Sequence, residues 1–271
     1  MSSLIQKIKA RIPAERLLAR PDLVAVYAFF TAVRSFRLGL SMTLTDEDIF
    51  PEGVHYPVRH MGELEQQTLG ELLVWTESPN GIERSIGMAA LNSCLSLTTK
   101  TYYAGNALDL AAAWGANKSV VVIGHFPHLE RIRDRAKSLI ILEKRPQPGD
   151  LPAEEAPNVI PQADVVALTG VTCLNDTIEG ILALKKPGSR FIALGPTIPL
   201  SPVLFEAGID VVGGAWVDDE AKARPMLAQG ATARVLKGAR NVLMPRANDL
   251  LPPEFRPAEP PPEHQPEGWK P

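Results

Sequence analysis

Polar and aromatic side chains that could bind a small molecule follow four successive apolar runs in the second half of the chain. The runs are 119–124, 138–143, 163–170 and 189–195. Imidazole, carboxylate, amide and hydroxyl groups at such positions can hold an anionic or metal-bearing ligand, and proline can stiffen the wall around it. The candidates that follow these runs are His125, Phe126, Glu143, Thr169, Thr172, Asn175, Thr177 and Pro196.

Two of these candidates also have an ordinary structural interpretation. Glu143 ends the second run, where an acid binds ribose hydroxyls in nucleotide-binding folds, yet a solvated charge at a strand end fits equally well. Asn175, or its neighbour Asp176, would be a normal cap for the helical pattern in this segment. Five polar residues fall within 169–177, and capping would use only one or two of them. The remaining polar residues favour a ligand site.

The histidines and cysteines leave further alternatives open. His125 and His128 have a spacing that suits joint metal ligation, but Pro127 between them disfavours a regular helix there. A neutral, hydrogen-bonding or proton-transferring His125 is therefore favoured over a shared metal. Cys173 adjoins the polar segment and could act as a ligand or nucleophile, whereas Cys94 lies in an apolar helical segment typical of a core.

The apolar runs alternate with helical patterns, which is typical of βαβ units in a parallel sheet. Short, wholly apolar runs rich in β-branched residues are expected for strands buried on both faces. We therefore predict a Rossmann-like domain over 116–246 with about five strands, the fifth at 209–214. The carboxyl ends of parallel strands meet at one edge, so the candidates should lie together there. Helices are predicted at 128–138, 174–185, 201–208 and 218–230.

The rest of the chain divides into three further segments. Residues 1–14 have apolar positions at helical spacing and predict an amphipathic helix, packed on the protein or on a partner. Residues 15–115 begin with a β-branched and aromatic stretch and continue with helical patterns, which predicts a small α+β domain. Residues 247–271 form a Pro-rich tail, since nine of the 25 prolines lie from Pro245 onward.

Composition narrows the classes of protein and partner. The chain has 271 residues and 28 Lys and Arg against 31 Asp and Glu, which argues against a nucleic-acid binder. Its two cysteines cannot form a disulfide framework, and no apolar run is long enough to span a membrane. We therefore expect a cytoplasmic protein whose partner is a small molecule or metal chelate; association into a homo-oligomer stays open.

The loop after the first strand disfavours the usual mode of NAD binding. A dinucleotide-binding fold carries G-x-G-x-x-G at this point, whereas this loop reads GHFPHL, with a single glycine at Gly124. Pro127 also lacks the N–H that would help to hold a pyrophosphate. NAD is therefore not the expected cofactor.

Several ordered motifs resemble a family named for heavy-metal chelation. They are GHFPHL at 124–129, the PQAD and TGVTCLNDT segments within 161–177, GPTIPLSP at 195–202 and VGG at 212–214. RSIGMAALNS at 84–93 resembles the family's smaller domain. The resemblance implies an enolase-N-terminal-like domain, then the Rossmann-like domain, with the site in the interdomain cleft. It also implies that Asn92 completes the pocket from across that cleft.

Three functional hypotheses follow. The first is binding or processing of a metal or metal-chelating small molecule in the cleft, with a divalent or heavy metal ion as the implied cofactor and His125 and Glu143 as candidate ligands. The second is an enzyme that binds a nucleotide-type cofactor such as S-adenosylmethionine against Glu143. The third is a non-catalytic ligand-binding protein. Fold similarity alone does not decide whether the protein is an enzyme.

Overall fold

The protein is a mixed α/β structure with two sheets. The computed structural model describes residues 3–44, 57–96 and 102–256. One sheet has three antiparallel strands and the other has eight mostly parallel strands. The α/β fold class expected from the sequence is confirmed.

The N-terminal unit combines the three-stranded sheet with helices. Two short helices come first, α1 (Ser3–Lys9) and α2 (Ala14–Leu17). The strands β1 (Leu23–Val26), β2 (Phe30–Arg34) and β3 (Leu38–Met42) form an antiparallel meander. Helix α3 (Leu69–Val74) and the long helix α4 (Gly81–Cys94) follow.

Helix α4 packs closely against the meander because its contact face is made of small residues. Its N-terminus is capped by Asn80, whose side chain accepts from the backbone N–H groups of Ile82 and Glu83. A side chain at Gly39 of β3 would collide with the α4 backbone at Ala89. The glycine therefore sets the distance between sheet and helix.

The large sheet has the strand order β4-β11-β10-β9-β8-β5-β6-β7. Strands β5 to β10 are parallel, and β11 pairs antiparallel with β10. The chain places β6 on one side of β5 and later places β8 on the other, so the order reverses at β5. The strands are β4 (Tyr103–Ala104), β5 (Ser119–Ile123), β6 (Ser138–Glu143), β7 (Leu151–Pro152), β8 (Val165–Thr169), β9 (Arg190–Leu194), β10 (Val211–Val217) and β11 (Ala239–Pro245).

The sheet has three strands beyond the five that the apolar runs predict. The predicted strands correspond to β5, β6, β8, β9 and β10. Strands β4 and β7 have only two residues each, too few for a period to be seen. Strand β11 is missed because arginine and asparagine interrupt its apolar pattern.

Seven helices are described beside the large sheet. The predicted helix at 174–185 is divided by a turn, and the predicted helix at 128–138 has only four helical residues. Residues 107–114 form a helix that the sequence reading missed, and it packs in the core of the large sheet. The helices are α5 (Ala107–Trp114), α6 (Glu130–Arg133), α7 (Ala156–Val159), α8 (Val171–Leu174), α9 (Ile178–Ala183), α10 (Val203–Glu206) and α11 (Glu220–Ala228).

Buried side chains connect the two units. One continuous apolar cluster includes Ile8 of α1, Leu91 of α4 and Phe191 of β9. The first residues of the Pro-rich segment also pack on the fold, since Leu251 is fully buried against α5; residues 257–271 lie outside the described part. In the ranges that the structure describes, no helix has the length and apolar character needed to cross a bilayer.

Candidate functional site

A large cavity lies where the parallel strands end and the chain order reverses. Its volume is about 1390 Å³, above the range of about 300–1,000 Å³ that is usual for small-molecule pockets. Eight of the nine candidate residues line it, with only Asn92 outside the lining. Those eight are His125, Phe126, Glu143, Thr169, Thr172, Asn175, Thr177 and Pro196.

The N-terminal unit supplies an apolar wall to the same cavity. Phe29 precedes β2, Leu40 and Met42 belong to β3, and Leu44 follows it; all four line the cavity. Phe126 adds an aromatic ring from the large-sheet side. Both units therefore contribute to one cleft.

Glu143 fixes two neighbouring loops through its carboxylate. Its Oε1 accepts from the backbone N–H of His125 at 2.7 Å, and its Oε2 accepts from the backbone N–H of Lys144 at 2.9 Å. These charge-assisted bonds join the ends of β5 and β6. Both oxygens of Glu143 are therefore hydrogen-bonded to the protein, and the carboxylate organises the rim of the cavity.

His125 forms a pair with an acid that the sequence reading did not select. Its Nδ1 lies 3.2 Å from Oδ2 of Asp150, whose side chain is only 3% exposed. The same Asp150 oxygen accepts from the backbone N–H of Gln147 at 3.0 Å, which fixes the turn that carries it. An ionised carboxylate only accepts hydrogen bonds, so the pair places a proton on Nδ1, and in the neutral imidazole Nε2 is then an acceptor.

The polar residues after β8 mostly satisfy one another. Thr172 Oγ1 donates to the Thr169 carbonyl at 2.6 Å, so this hydroxyl closes the turn. The Asn175 amide is paired at both ends when its nitrogen faces Thr177 Oγ1 at 2.6 Å and its oxygen faces Lys144 Nζ at 3.2 Å. Asn175 thus links the loops after β6 and β8, and Lys144 extends over the cavity rim.

Asp176 is held in a strained conformation by an arginine from the N-terminal unit. Its φ is 59°, in the left-handed region that costs energy for residues other than glycine. Arg84 of α4 donates to the Asp176 carboxylate at 2.8 Å and to the Leu174 carbonyl at 2.6 Å. His128, which also lines the cavity, has a φ of 65° and is likewise in the left-handed backbone region. Strain of this kind clusters at functional sites.

Asn92 lies behind the cavity wall instead of on it. Its side chain is buried, and Nδ2 donates to the carbonyls of Leu40 at 2.8 Å and Thr197 at 3.1 Å. Thr197 Oγ1 in turn accepts from the backbone N–H of Met42 at 2.9 Å. Asn92 therefore does reach across the two units, but its amide positions the loop after β9 and is not part of the cavity lining.

The cavity lining carries more basic than acidic side chains. In the described ranges, the lining carboxylates are Glu143 and Asp176, whereas five basic side chains line the cavity. Two of the five, Arg131 and Arg240, are paired with aspartates. The five basic residues are Arg131, Lys144, Arg145, Arg234 and Arg240.

The described residues do not assemble a protein metal centre. Within 3–44, 57–96 and 102–256, no group of three or more His, Cys, Asp or Glu side chains is arranged to hold an ion. His125, Glu143 and Asp150 are neighbours, but their side chains are not arranged as a three-donor group. Burial raises the pKa of Cys173 to about 12, and burial likewise raises that of Cys94 to about 11, so both thiols stay protonated near neutral pH. Cys173 is also buried and is not part of the cavity lining, which disfavours a role as ligand or nucleophile.

The sequence reading missed Asp150, Lys144, Arg84 and the apolar wall. Asp150 follows a Pro-Gly pair, which predicts a turn. The pair does not indicate which side chain Asp150 contacts after the turn. The apolar wall belongs to strands whose other residues form an ordinary core. These residues reach the cavity through contacts between elements that are distant in sequence, which local sequence patterns do not show.

Comparison with known proteins gives consistent matches. Residues 106–243 match the DUF364 family and residues 22–95 match DUF4213, both described as "Putative heavy-metal chelation". An uncharacterised protein of Methanocaldococcus jannaschii is 26% identical over 180 residues, which cover 64% of this chain and 70% of that protein.

Two solved structures of DUF364 proteins share the fold. The protein from Desulfitobacterium hafniense gives a TM-score of 0.73 at 23% identity, covering 89% of this chain and 97% of that one. The protein from Pyrococcus horikoshii gives 0.72 at 19% identity, covering 89% and 99%. Both are described as of unknown function, and at this identity they support the fold alone. With more than half of its length matched, the chain belongs to the DUF364 family.

Proposed function

We propose that this protein binds an anionic, metal-chelating small molecule in the cleft between its two units, and that the ligand itself supplies most of the metal's donor atoms. The observation that carries the proposal is the cavity lining, where basic side chains outnumber carboxylates at the ends of the parallel strands. Open α/β sheets usually bind ligands at this place. The involvement of a metal is inferred from the family description, which names heavy-metal chelation.

The charge of the lining supports an anionic ligand. Lys144 projects from the rim fixed by Glu143, and Arg234 comes from the segment between α11 and β11. A carboxylate in a partly enclosed site gains most from such cations, because the local dielectric is low.

The donor chemistry supports a chelate over a bare ion. A resident protein-held metal does not fit the described residues, since they provide no three-donor group and both thiols stay protonated. A chelator brings several oxygen or nitrogen donors with it, so the protein needs to recognise only the complex.

The nucleotide-cofactor hypothesis is less well supported. The fold and the position of Glu143 favour it, but both carboxylate oxygens already bind backbone N–H groups. A ribose would have to share those oxygens. S-Adenosylmethionine in a thermal-shift assay tests this alternative directly.

Calorimetric titration distinguishes a chelate from its parts. We expect zinc citrate to bind more tightly than citrate, and zinc chloride alone to bind weakly. Lys144→Ala should weaken binding of zinc citrate about tenfold, because a charge-assisted hydrogen bond is worth about 1.5–3 kcal/mol. Lys222→Ala, which removes an exposed lysine of α11 paired with Asp219, is the matched control and should bind like the wild type.

Two outcomes would count against the proposal. Tight binding of zinc chloride with no contribution from citrate would place the metal donors in the protein. Binding of neither compound, with a clear thermal shift by S-adenosylmethionine, would favour the cofactor alternative.

A further inference from the structure

The cavity has one polar wall and one apolar wall, and this division narrows the class of ligand. We infer that the preferred ligand is an aromatic hydroxy acid, with its hydroxyl on His125, its carboxylate at Lys144 and its ring between Phe126 and the wall of the N-terminal unit. This inference rests on the proposed ligand site and adds the chemical class of its occupant.

His125 supplies a hydrogen-bond acceptor of defined orientation. Asp150 binds Nδ1 at 3.2 Å, so in the neutral imidazole the remaining ring nitrogen, Nε2, accepts a bond from a ligand hydroxyl. The ring lines the cavity with 38% of its side chain exposed, while the Asp150 carboxylate is nearly inaccessible. In the described part of the chain, no protein group is hydrogen-bonded to Nε2.

Lys144 is fixed relative to this acceptor. Glu143 binds the backbone N–H groups of both His125 and Lys144, so the two residues keep their spacing. Lys144 Nζ lies 3.2 Å from the Asn175 amide oxygen, which leaves its other protons for a carboxylate. The rim therefore carries a hydrogen-bond acceptor and a cation at a fixed spacing. These two groups match a molecule that carries both a hydroxyl and a carboxylate.

The opposite wall favours a flat apolar body over a fully polar one. Phe29, Met42 and Leu44 line the cavity from the N-terminal unit, and Phe126 lines it from the loop after β5. Phe29 is 44% exposed although it is aromatic, so a ring placed there would bury apolar surface. Aromatic pairs and methionine–ring contacts stabilise such an arrangement further.

Calorimetry with matched compounds in metal-free buffer tests the inference. The compounds are 2,3-dihydroxybenzoate, which donates hydrogen bonds, and 2,3-dimethoxybenzoate, which does not. We expect the wild-type protein to prefer the dihydroxy compound about tenfold, the value of one well-placed hydrogen bond. In Asp150→Ala the preference should fall towards unity, because the ring nitrogens are no longer fixed. The steric cost of the methyl groups is present in both proteins and cancels in the comparison.

Further variants separate this inference from the proposed function. Phe29→Ser should weaken dihydroxybenzoate several-fold and leave citrate unchanged, since citrate has no ring. Lys144→Ala should weaken both compounds. If zinc citrate binds and the two benzoates do not, the anion site stands and the aromatic class is wrong. An undiminished preference in Asp150→Ala would overturn the role of the His125–Asp150 pair, and no binding of any of these anions would overturn the proposed function as well.

Discussion

Polar side chains at the strand ends divide into those that hold the loops and those that remain available to a ligand. Thr172 and Thr177 are engaged in turns, and Glu143 ties two loops together. Lys144 and His125 line the cavity, and we propose that Lys144 Nζ and His125 Nε2 recognise the ligand. The sequence could place most of these residues at one edge, because strand ends of a parallel sheet meet there. It could not assign their partners, since Asp150 reaches His125 only through the turn at 147–150.

Replacing Glu143 should loosen the rim of the cavity. In Glu143→Ala, the backbone N–H groups of His125 and Lys144 lose their acceptor, and we expect the free energy of unfolding to fall by about 1–2 kcal/mol. Glu143→Gln keeps an acceptor oxygen and should lose less. Urea denaturation of the three proteins measures the difference. Equal stability of Glu143→Ala and the wild type would show that the carboxylate does not organise the loops.

At the scale of elements, the regular part of the sheet was predictable and its edges were not. Strand β6 occupies the predicted residues, because a wholly apolar run bounded by polar residues has clear ends. Strand β11 and helix α5 were missed. Helix α5 ends just before the predicted domain boundary at 115, yet its burial in one cluster with residues of β5 and β9 places it with the large sheet. Packing between elements, which local patterns do not contain, decided these cases.

Strands β5 and β8 are also joined at their amino ends, away from the cavity. Hydrogen bonds from the Ser119 backbone N–H and hydroxyl, and then from Lys186, lower the pKa of Asp164 to about 2. This carboxyl has a usual pKa of about 3.9 when unfolded, so its stabilising contribution is present above that value. The contribution is lost as the pH falls towards 2, where the native carboxyl also becomes protonated.

Asp164→Asn should therefore destabilise the protein at pH 7 and much less at pH 2, where the native carboxyl is largely losing its charge. The expected loss at pH 7 is about 1 kcal/mol, since the carboxylate is half-exposed and solvent screens it. Chemical denaturation at both pH values measures it. Asp134→Asn, for which the described contacts show no carboxylate hydrogen bond, is the comparison variant. A loss that is the same at both pH values would contradict the pKa assignment.

At the scale of the whole molecule, the N-terminal unit controls the geometry of the cleft. Arg84 holds the strained Asp176 loop, Asn92 holds the loop after β9, and one apolar cluster continues through both units. Arg37 of the β2–β3 turn also lies 4.2 Å from the ring centre of Trp216 on β10. We interpret these contacts as the reason that the cavity is formed before a ligand binds.

Arg84→Ala tests this control from outside the cavity. The variant removes the guanidinium that binds the Leu174 carbonyl and the Asp176 carboxylate, so we expect zinc citrate to bind several-fold more weakly. Stability should fall by about 2 kcal/mol, the typical cost of losing charge-assisted bonds at a partly buried site. Arg11→Ala, which breaks the exposed pair with Glu206, is the control and should change neither quantity appreciably. Unchanged affinity in Arg84→Ala would separate the N-terminal unit from ligand binding.

The central claim is that the cleft holds a metal-chelating organic anion. Native mass spectrometry of the gently purified protein, combined with elemental analysis of the same sample, tests it most directly. We predict a bound organic acid that leaves on denaturation, any metal in proportion to that acid, and loss of both in Lys144→Ala. A metal that remains bound without an organic ion, or an organic ligand that is uncharged and insensitive to Lys144→Ala, would contradict the claim.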